Sequence, residues 1–223
     1  HDLILISQVF FRTGQMFDTI EALADLARPE GPFVVIDGYH GFMATPTDLS
    51  RIEDRVFYLA GGYKYAMAGE GAFFLLAPSG FGPRPAITGW FAEFGDLEGP
   101  PGGVGYRKDG GRFWGATFDV SALYRFNAVQ EMLAEESVSV SDMSDHSRHL
   151  MQQFQDALRG DADTIWAEAE WLNPVEGTGP RARLLAIRHP KAADVRARLI
   201  DKHVVTDVRD DVIRFGFGPY QDE

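Results

Sequence analysis

Two charged residues, Asp37 and Lys64, each follow an apolar run that predicts a buried strand, FVVI before the aspartate and RVFYLAGG before the lysine. Sheets in α/β proteins bind ligands beyond the carboxyl ends of their strands, so both side chains are predicted to face one cavity. A pyridoxal phosphate enzyme requires such a pair. Burial favours the neutral lysine amine that bonds to the cofactor aldehyde, and the carboxylate keeps the pyridine nitrogen protonated.

Each residue also has a simpler interpretation. An aspartate after a strand often caps the helix that follows it, and a lysine beside a glycine turn is often solvated. Composition and spacing alone therefore leave both interpretations of Asp37 and Lys64 open.

The elements that would position this pair alternate along the chain. The segments LILISQV, FVVIDGY, RVFYLAGG and GAFFLLAP are typical of strands. The segment MFDTIEALADLARPEG predicts a helix, because Ile20, Leu23, Ala24 and Ala27 recur at helical spacing. Strands alternating with helices or crossovers indicate an α/β fold with a mainly parallel sheet, which we assign to residues 1–118.

The second half of the chain predicts a smaller α/β domain over residues 119–223. Before it, residues 79–112 are rich in glycine and proline and predict a long mobile loop. Near the end of the chain, ARLLAIRHP, KAADVRARLIDK, HVVTDVR and DVIRFGFGP predict a strand, a helix and two strands in that order.

Two helices are predicted at the start of the smaller domain. The first, DVSALYRFNAVQEMLAEE, is expected to be capped by Asp119 or Ser121. The second, SDMSDHSRHLMQQFQDALRG, is expected to be capped by Ser141 or Asp142.

Composition limits the classes of partner. The formal charge of -12 disfavours nucleic acid and anionic membranes, and no apolar run is long enough to span a bilayer. No signal peptide is recognisable, and the chain has no cysteine, so a cytoplasmic location is expected. His146 and His149 stand at helical spacing without a third ligand nearby, so no metal site is predicted.

Several motifs resemble one enzyme family in order and spacing. VVIDGYHGFMATPTDLS, LAGGYKYAMAGEGAFFLLAP and ITGWF are similar to segments of the class V aminotransferase superfamily of fold-type I pyridoxal phosphate enzymes, and of kynureninase in particular. IRHPKAADVRARLIDKHVVTDVRDDVIRFGFGPY resembles the small domain of that family. The resemblance implies the C-terminal half of such an enzyme, with pyridoxal phosphate as cofactor, an α-amino acid as substrate and a homodimer as assembly. We expect a substantial N-terminal portion to be missing, and therefore an incomplete and inactive cofactor site in the chain alone.

The resemblance assigns roles to four residues near the predicted strand ends. It implies that Lys64 is the Schiff-base lysine, that Asp37 pairs with the pyridinium nitrogen, and that His40 lies near the phenolic oxygen or the ring of the cofactor. Tyr63 corresponds to a tyrosine that hydrogen-bonds the cofactor phosphate and serves as a proton donor. Alternatively, His40 is only locally hydrogen-bonded and Tyr63 is a core aromatic residue.

Three further residues match more distant positions. Trp90 in GWF and Thr117 in GATF correspond to residues that reach the cofactor phosphate of the neighbouring subunit. Arg214 corresponds to the arginine whose planar fork grips the substrate carboxylate. Trp90 could instead be a core aromatic residue, and Arg214 could pair with Asp207 or Asp211.

The reaction itself is left open by the sequence. Phe42 and Met43 stand where kynureninase-like sequences have a small residue, and the lack of cysteine argues against desulfurase chemistry. Kynureninase-like hydrolysis of a carbon-carbon bond is favoured, with transamination, epimerisation or lyase chemistry as alternatives. A non-catalytic relative that keeps the fold is the alternative from another class, and the joint presence of Lys64, Asp37 and Arg214 argues against it.

Overall fold

The computed structural model describes residues 2–99, 102–160, 165–177 and 179–222. The chain forms two compact units, each built from segments that are distant in sequence. The first unit comprises His1–Gln8, Asp18–Tyr39 and Asp48–Val129, and the second comprises Val9–Phe17, His40–Thr47 and Gln130–Glu223. The division into these two units does not test the domain boundary predicted near residue 119, which stays a prediction.

The first unit contains a four-stranded sheet in the order β1-β2-β3-β4. Its strands are β1 (Leu3–Ser7), β2 (Phe33–Asp37), β3 (Phe57–Gly61) and β4 (Phe73–Leu76). β1, β2 and β3 are parallel to one another, and β4 runs antiparallel to β3. This mainly parallel sheet confirms the predicted α/β class.

One face of the first strand is more open than its apolar sequence predicts. Leu3 and Leu5 are exposed, whereas Ile4 and Ile6 on the other face are half-buried. β2 is better covered, because Val34 and Ile36 are fully buried. Burial therefore alternates along β1, although its apolar sequence is typical of a buried strand.

The predicted helix after β1 is much shorter than its periodic pattern. Helix α1 covers only Ile20–Ala24, and the Thr19 side chain makes no capping hydrogen bond. After it, the amides of Leu26 and Ala27 bond to carbonyls three residues back, which is the tighter geometry of a helix that is ending. Without a side-chain cap and with Pro29 close behind, the pattern supports little more than one helical turn.

The second unit contains an antiparallel sheet in the order β5-β6-β8-β7. Its strands are β5 (Glu170–Trp171), β6 (Leu184–Arg188), β7 (Asp207–Arg209) and β8 (Val212–Gly216), and α4 (Ala192–Ile200) lies between β6 and β7 in sequence. The predicted order of strand, helix, strand and strand is confirmed. β5 was not predicted, since two residues are too few to show an alternating pattern.

Two longer helices, α2 (Ser121–Glu135) and α3 (Val140–Gly160), follow the glycine-rich segment. The Asp119 carboxylate accepts a hydrogen bond from the Ser121 amide, as expected for the start of α2. The cap of α3 is Ser139 instead of Ser141 or Asp142, because the Ser139 hydroxyl accepts from the Asp142 amide and the Asp142 carboxylate accepts from the Ser139 amide. This reciprocal arrangement is a capping box.

No helix in the described part of the chain is both long and apolar enough to cross a membrane.

The glycine- and proline-rich segment contains more structure than predicted. Two 3-10 helices, Trp90–Asp96 and Gly110–Phe113, lie within or beside it, and Pro100 and Pro101 fall outside the described residues. Arg112 is 2% exposed and donates hydrogen bonds to four backbone carbonyls. The acceptors are Gly82, Asp109, Pro78 and Phe81. A single buried guanidinium thus ties distant parts of this segment together.

Candidate active site

Asp37 is the last residue of β2 and pairs in register with Ser7, the last residue of β1. The Ser7 hydroxyl donates to one carboxylate oxygen of Asp37 at 3.3 Å, and the Tyr39 amide donates to the other at 3.0 Å. Both oxygens are therefore held in place at the carboxyl edge of the parallel strands. This edge is where α/β sheets bind their ligands.

Lys64 lies in a turn three residues beyond the end of β3 and is half-buried. The Gly62 amide donates to the Ala72 carbonyl, and the Gly62 carbonyl accepts from the Ala68 amide, both at 2.8 Å. These bonds fix the start of the turn. The Lys64 Nζ lies 4.9 Å from the centroid of the Tyr63 ring, within the range of a cation-π contact.

Tyr39 contacts Asp37 through its amide and Tyr63 through its ring. It is not among the site residues predicted from the sequence. Its ring lies 5.4 Å from the Tyr63 ring, and a Cβ atom added at Gly61 would come within 2.6 Å of it. Burial, followed by the nearby Tyr63, Asp37 and Glu70 side chains, raises the pKa of the Tyr39 phenol. Its place inside D-x-x-H, the motif of Asp37 and His40, is a signal of this role in the sequence.

A second phenol, Tyr58 on β3, lies beneath the same edge. It is 2% exposed, and its hydroxyl donates to Gln8 Oε1 at 3.0 Å. Burial, and to a smaller extent Asp37, raises its pKa well above the ordinary range. A Cβ atom at Gly38 would lie 2.1 Å from the Tyr58 ring, so the DGYH segment needs glycine in order to pack here.

In the first unit, the structure thus brings Asp37, Tyr63 and Lys64 to one edge of the sheet, linked through Tyr39. An amine, two phenols and a carboxylate can exchange protons with a ligand and balance a positive charge on it. Tyr63 is 43% exposed, so it is not the core residue of the alternative interpretation.

Trp90 and Thr117 belong to a different part of the first unit. Both are exposed, and Trp90 stacks against Phe94 with ring centroids 5.3 Å apart. The two motifs that carry them meet at Gly89 and Gly115, where a Cβ atom at residue 89 would lie 2.0 Å from the Gly115 carbonyl oxygen. The close approach of the two glycines holds GWF beside GATF on an exposed aromatic surface.

His40 and Arg214 both contact Phe11 in the second unit. The His40 ring stacks edge-on against Phe11 at 5.5 Å, and the Arg214 guanidinium lies 3.8 Å from the same ring centroid. Arg214 also donates to the Phe11 carbonyl at 2.5 Å and to the Asp207 carboxylate. Of the two alternative partners proposed for Arg214, the structure shows Asp207.

The departure from the kynureninase pattern at Met43 has a structural counterpart. Met43 adopts a left-handed backbone conformation with φ of 60°, which is uncommon for a residue other than glycine. The buried Arg183 donates to the Met43 carbonyl at 2.6 Å and to the Ala44 carbonyl at 2.8 Å. These bonds hold the turn after D-x-x-H in its unusual conformation.

His146 and His149 lie on α3. The His146 Nε2 atom donates to the Gln221 carbonyl at 2.8 Å, and His149 is exposed. Within the described ranges, no group of three histidine, aspartate or glutamate side chains could hold a metal ion.

Comparisons with known proteins agree with the resemblance. Residues 143–223 match the model of the kynureninase C-terminal domain. The kynureninase of Deinococcus radiodurans is 27% identical, over 97% of this chain and 52% of that protein. The chain therefore spans about half the length of this curated relative.

Solved structures show the same fold. A cysteine desulfurase from Thermococcus onnurineus NA1 superimposes with a TM-score of 0.75 at 16% identity, over 99% of this chain and 56% of that one. The cystine C-S lyase C-DES, in complex with cysteine persulfide, gives a TM-score of 0.72 at 20% identity, over 99% and 57% of the two chains. Another structure of C-DES holds glycine linked covalently to its pyridoxal phosphate cofactor.

The expected resemblance to class V pyridoxal phosphate enzymes and the expected fold class are both confirmed. The chain has the fold of the C-terminal part of the class V, fold-type I pyridoxal phosphate enzymes, and its residues 143–223 match the kynureninase C-terminal domain.

Proposed function

We propose that the chain is the lysine-bearing part of a pyridoxal phosphate enzyme that acts on an α-amino acid, as a kynureninase-like hydrolase of a carbon-carbon bond. The observation that carries this proposal is the placement of Lys64 beside Tyr63, whose ring lies against that of Tyr39, while the Tyr39 amide donates to Asp37. The similarity to a kynureninase over 97% of the chain supports this choice of reaction within the superfamily.

The donor set at the sheet edge fits pyridoxal phosphate. The Lys64 amine would hold the aldehyde, the Asp37 carboxylate would pair with the pyridine nitrogen, and Tyr63 would donate to the phosphate. When bound, the cofactor supplies an electron sink for the electrons left on the substrate α-carbon after deprotonation.

Side chains of this chain would carry out the proton transfers and bind the substrate carboxylate. The Lys64 amine would also remove the proton from the α-carbon of a bound substrate. Tyr63 donates a proton at the side-chain carbonyl, where water must add before the carbon-carbon bond can break. Arg214 binds the substrate carboxylate with its planar fork.

Cysteine desulfurase chemistry is not proposed, although desulfurases share the fold. That reaction needs a cysteine nucleophile, which in the family follows the cofactor-binding lysine. None of the 223 residues of this chain is cysteine.

The proposed reaction is tested by the products formed from kynurenine. The full-length protein with pyridoxal phosphate is expected to release anthranilate and alanine. Tyr63→Phe is expected to lower kcat by about 100-fold, because it removes a general acid, and to weaken cofactor binding far less. Tyr65→Phe, a change to the tyrosine on the other side of Lys64, is the matched control. Formation of a keto acid and the amine form of the cofactor would instead establish an aminotransferase.

The exposed aromatic surface around Trp90 suggests a homodimer in which Trp90 and Thr117 reach the cofactor phosphate of the neighbouring subunit. Gly89→Ala should weaken this dimer, because the new Cβ atom would collide with the Gly115 carbonyl and move Trp90. Gly95→Ala is the control, since a Cβ atom there meets nothing within 4 Å. Light scattering measures the assembly. A wild-type monomer that still binds pyridoxal phosphate would contradict the dimer.

A further inference from the structure

We propose that Asp207 is an exchange partner of Arg214, which occupies the guanidinium until the carboxylate of a substrate displaces it. The inference rests on the proposed function, in which Arg214 binds that carboxylate. It adds Asp207 to the expected site, as a residue that competes with carboxylate ligands for Arg214.

The two residues face each other across neighbouring strands. Asp207 on β7 pairs in register with Arg214 on β8, so their side chains lie on the same face of the sheet. One oxygen of Asp207 accepts from Arg214 Nη2. The contact resembles the charge-assisted bond that a bound carboxylate would form with this arginine.

Arg209 provides a second partner for the same carboxylate. It stands two residues after Asp207 on β7, and therefore on the same face. Its Nη1 lies 3.5 Å from the other oxygen of Asp207, so the carboxylate bridges two arginines. Both guanidinium groups also lie over the ring of Phe11, at 3.8 Å for Arg214 and 5.6 Å for Arg209.

Burial explains why an incoming carboxylate must compete with Asp207. The Arg214 side chain is only 10% exposed, whereas those of Asp207 and Arg209 are 39% and 56% exposed. Two carboxylates beside one largely buried guanidinium would repel each other. The carboxylate of a ligand therefore pairs with Arg214 only when Asp207 withdraws. Arg209 lies on the solvent side of the pair and can keep the displaced carboxylate neutralised.

This arrangement has a consequence for selectivity. A ligand that carries a carboxylate replaces the lost ion pair of Arg214 with an equivalent one. A ligand without that charge cannot replace this ion pair, so it binds without displacing Asp207. Asp207 therefore lowers the affinity for ligands that carry a carboxylate and leaves the affinity for uncharged analogues unchanged.

The test compares L-alanine with its amide, L-alaninamide, as ligands of the full-length holoenzyme. Dissociation constants are read from the change in the absorbance of the cofactor. Asp207→Asn is expected to tighten L-alanine binding by about 5-fold or more and to leave L-alaninamide unchanged, since only the first ligand competes with the aspartate. Arg209→Gln is expected to weaken L-alanine binding by about 3-fold, because the displaced carboxylate then has no second arginine.

The matched control is Asp210→Asn, which removes a nearby negative charge that pairs with Arg12. It should leave both dissociation constants unchanged. Unchanged or weaker L-alanine binding in Asp207→Asn would overturn the exchange, provided that Arg214→Gln still weakens it strongly. If Arg214→Gln has no effect, or if no holoenzyme forms, the proposed function fails first and the exchange is refuted with it.

Discussion

Replacement of Lys64 by alanine is expected to abolish turnover of an amino-acid substrate, with a loss of about 10⁴-fold or more. The expected loss is large because one amine both holds the cofactor and moves the proton of the substrate. The measurement is kcat of the full-length protein with saturating pyridoxal phosphate. Lys108→Ala is the control, since Lys108 is exposed in the glycine-rich segment.

The activity of Lys64→Ala decides whether Lys64 is the cofactor-binding lysine. Loss of activity in Lys64→Ala alone supports the assignment of this lysine over the others in the chain. Activity that survives Lys64→Ala would remove the pyridoxal phosphate mechanism as a whole, since no other residue in the proposal takes both roles.

Replacement of Arg112 by methionine is expected to lower the free energy of unfolding by about 3 kcal/mol or more. Methionine keeps most of the apolar stem, but it leaves the buried Phe81 carbonyl without the guanidinium that donates to it, and the Pro78 carbonyl keeps only the long bond from the Phe81 amide. Desolvation lowers the pKa of the Arg112 guanidinium, and this direction agrees with its burial. Urea denaturation measures the difference.

Arg107→Met is the matched control for this stability prediction. Arg107 lies in the same segment, but it forms an exposed ion pair with Asp109, and exposed pairs contribute little to stability. If both variants unfold at the same urea concentration as the wild-type protein, the buried Arg112 cluster is not what orders the segment.

The strands were the most predictable part of this fold. FVVID and RVFYLAG are continuous apolar runs, and burial of these side chains dominates the local energetics. For that reason, the placement of Asp37 at a strand end and of Lys64 just beyond another strand followed from the sequence. The short β5 had no such signal, and α1 lacked the side-chain cap that its pattern needed to extend.

The residues that support the site were harder to foresee. Tyr39 is adjacent to Asp37 only because the turn after β2 brings its amide back to the carboxylate. The sequence allowed Asp207 or Asp211 as a partner of Arg214, and the register of two strands, which composition does not encode, brings Asp207 opposite the arginine. The role of Arg112 has no pattern in the sequence, because glycine- and proline-rich segments predict loops and the backbone carbonyls that bind its guanidinium leave no sequence signal.

The central claim is that Lys64 holds pyridoxal phosphate, and chemical reduction tests it most directly. Borohydride treatment of the full-length holoenzyme fixes the cofactor to the amine that holds it, and peptide mass spectrometry then locates that amine. The account predicts a pyridoxyl group on the peptide that contains Lys64 and none on those that contain Lys108, Lys191 or Lys202. A pyridoxyl group on any of these three lysines in place of Lys64, or none on the protein, would contradict it.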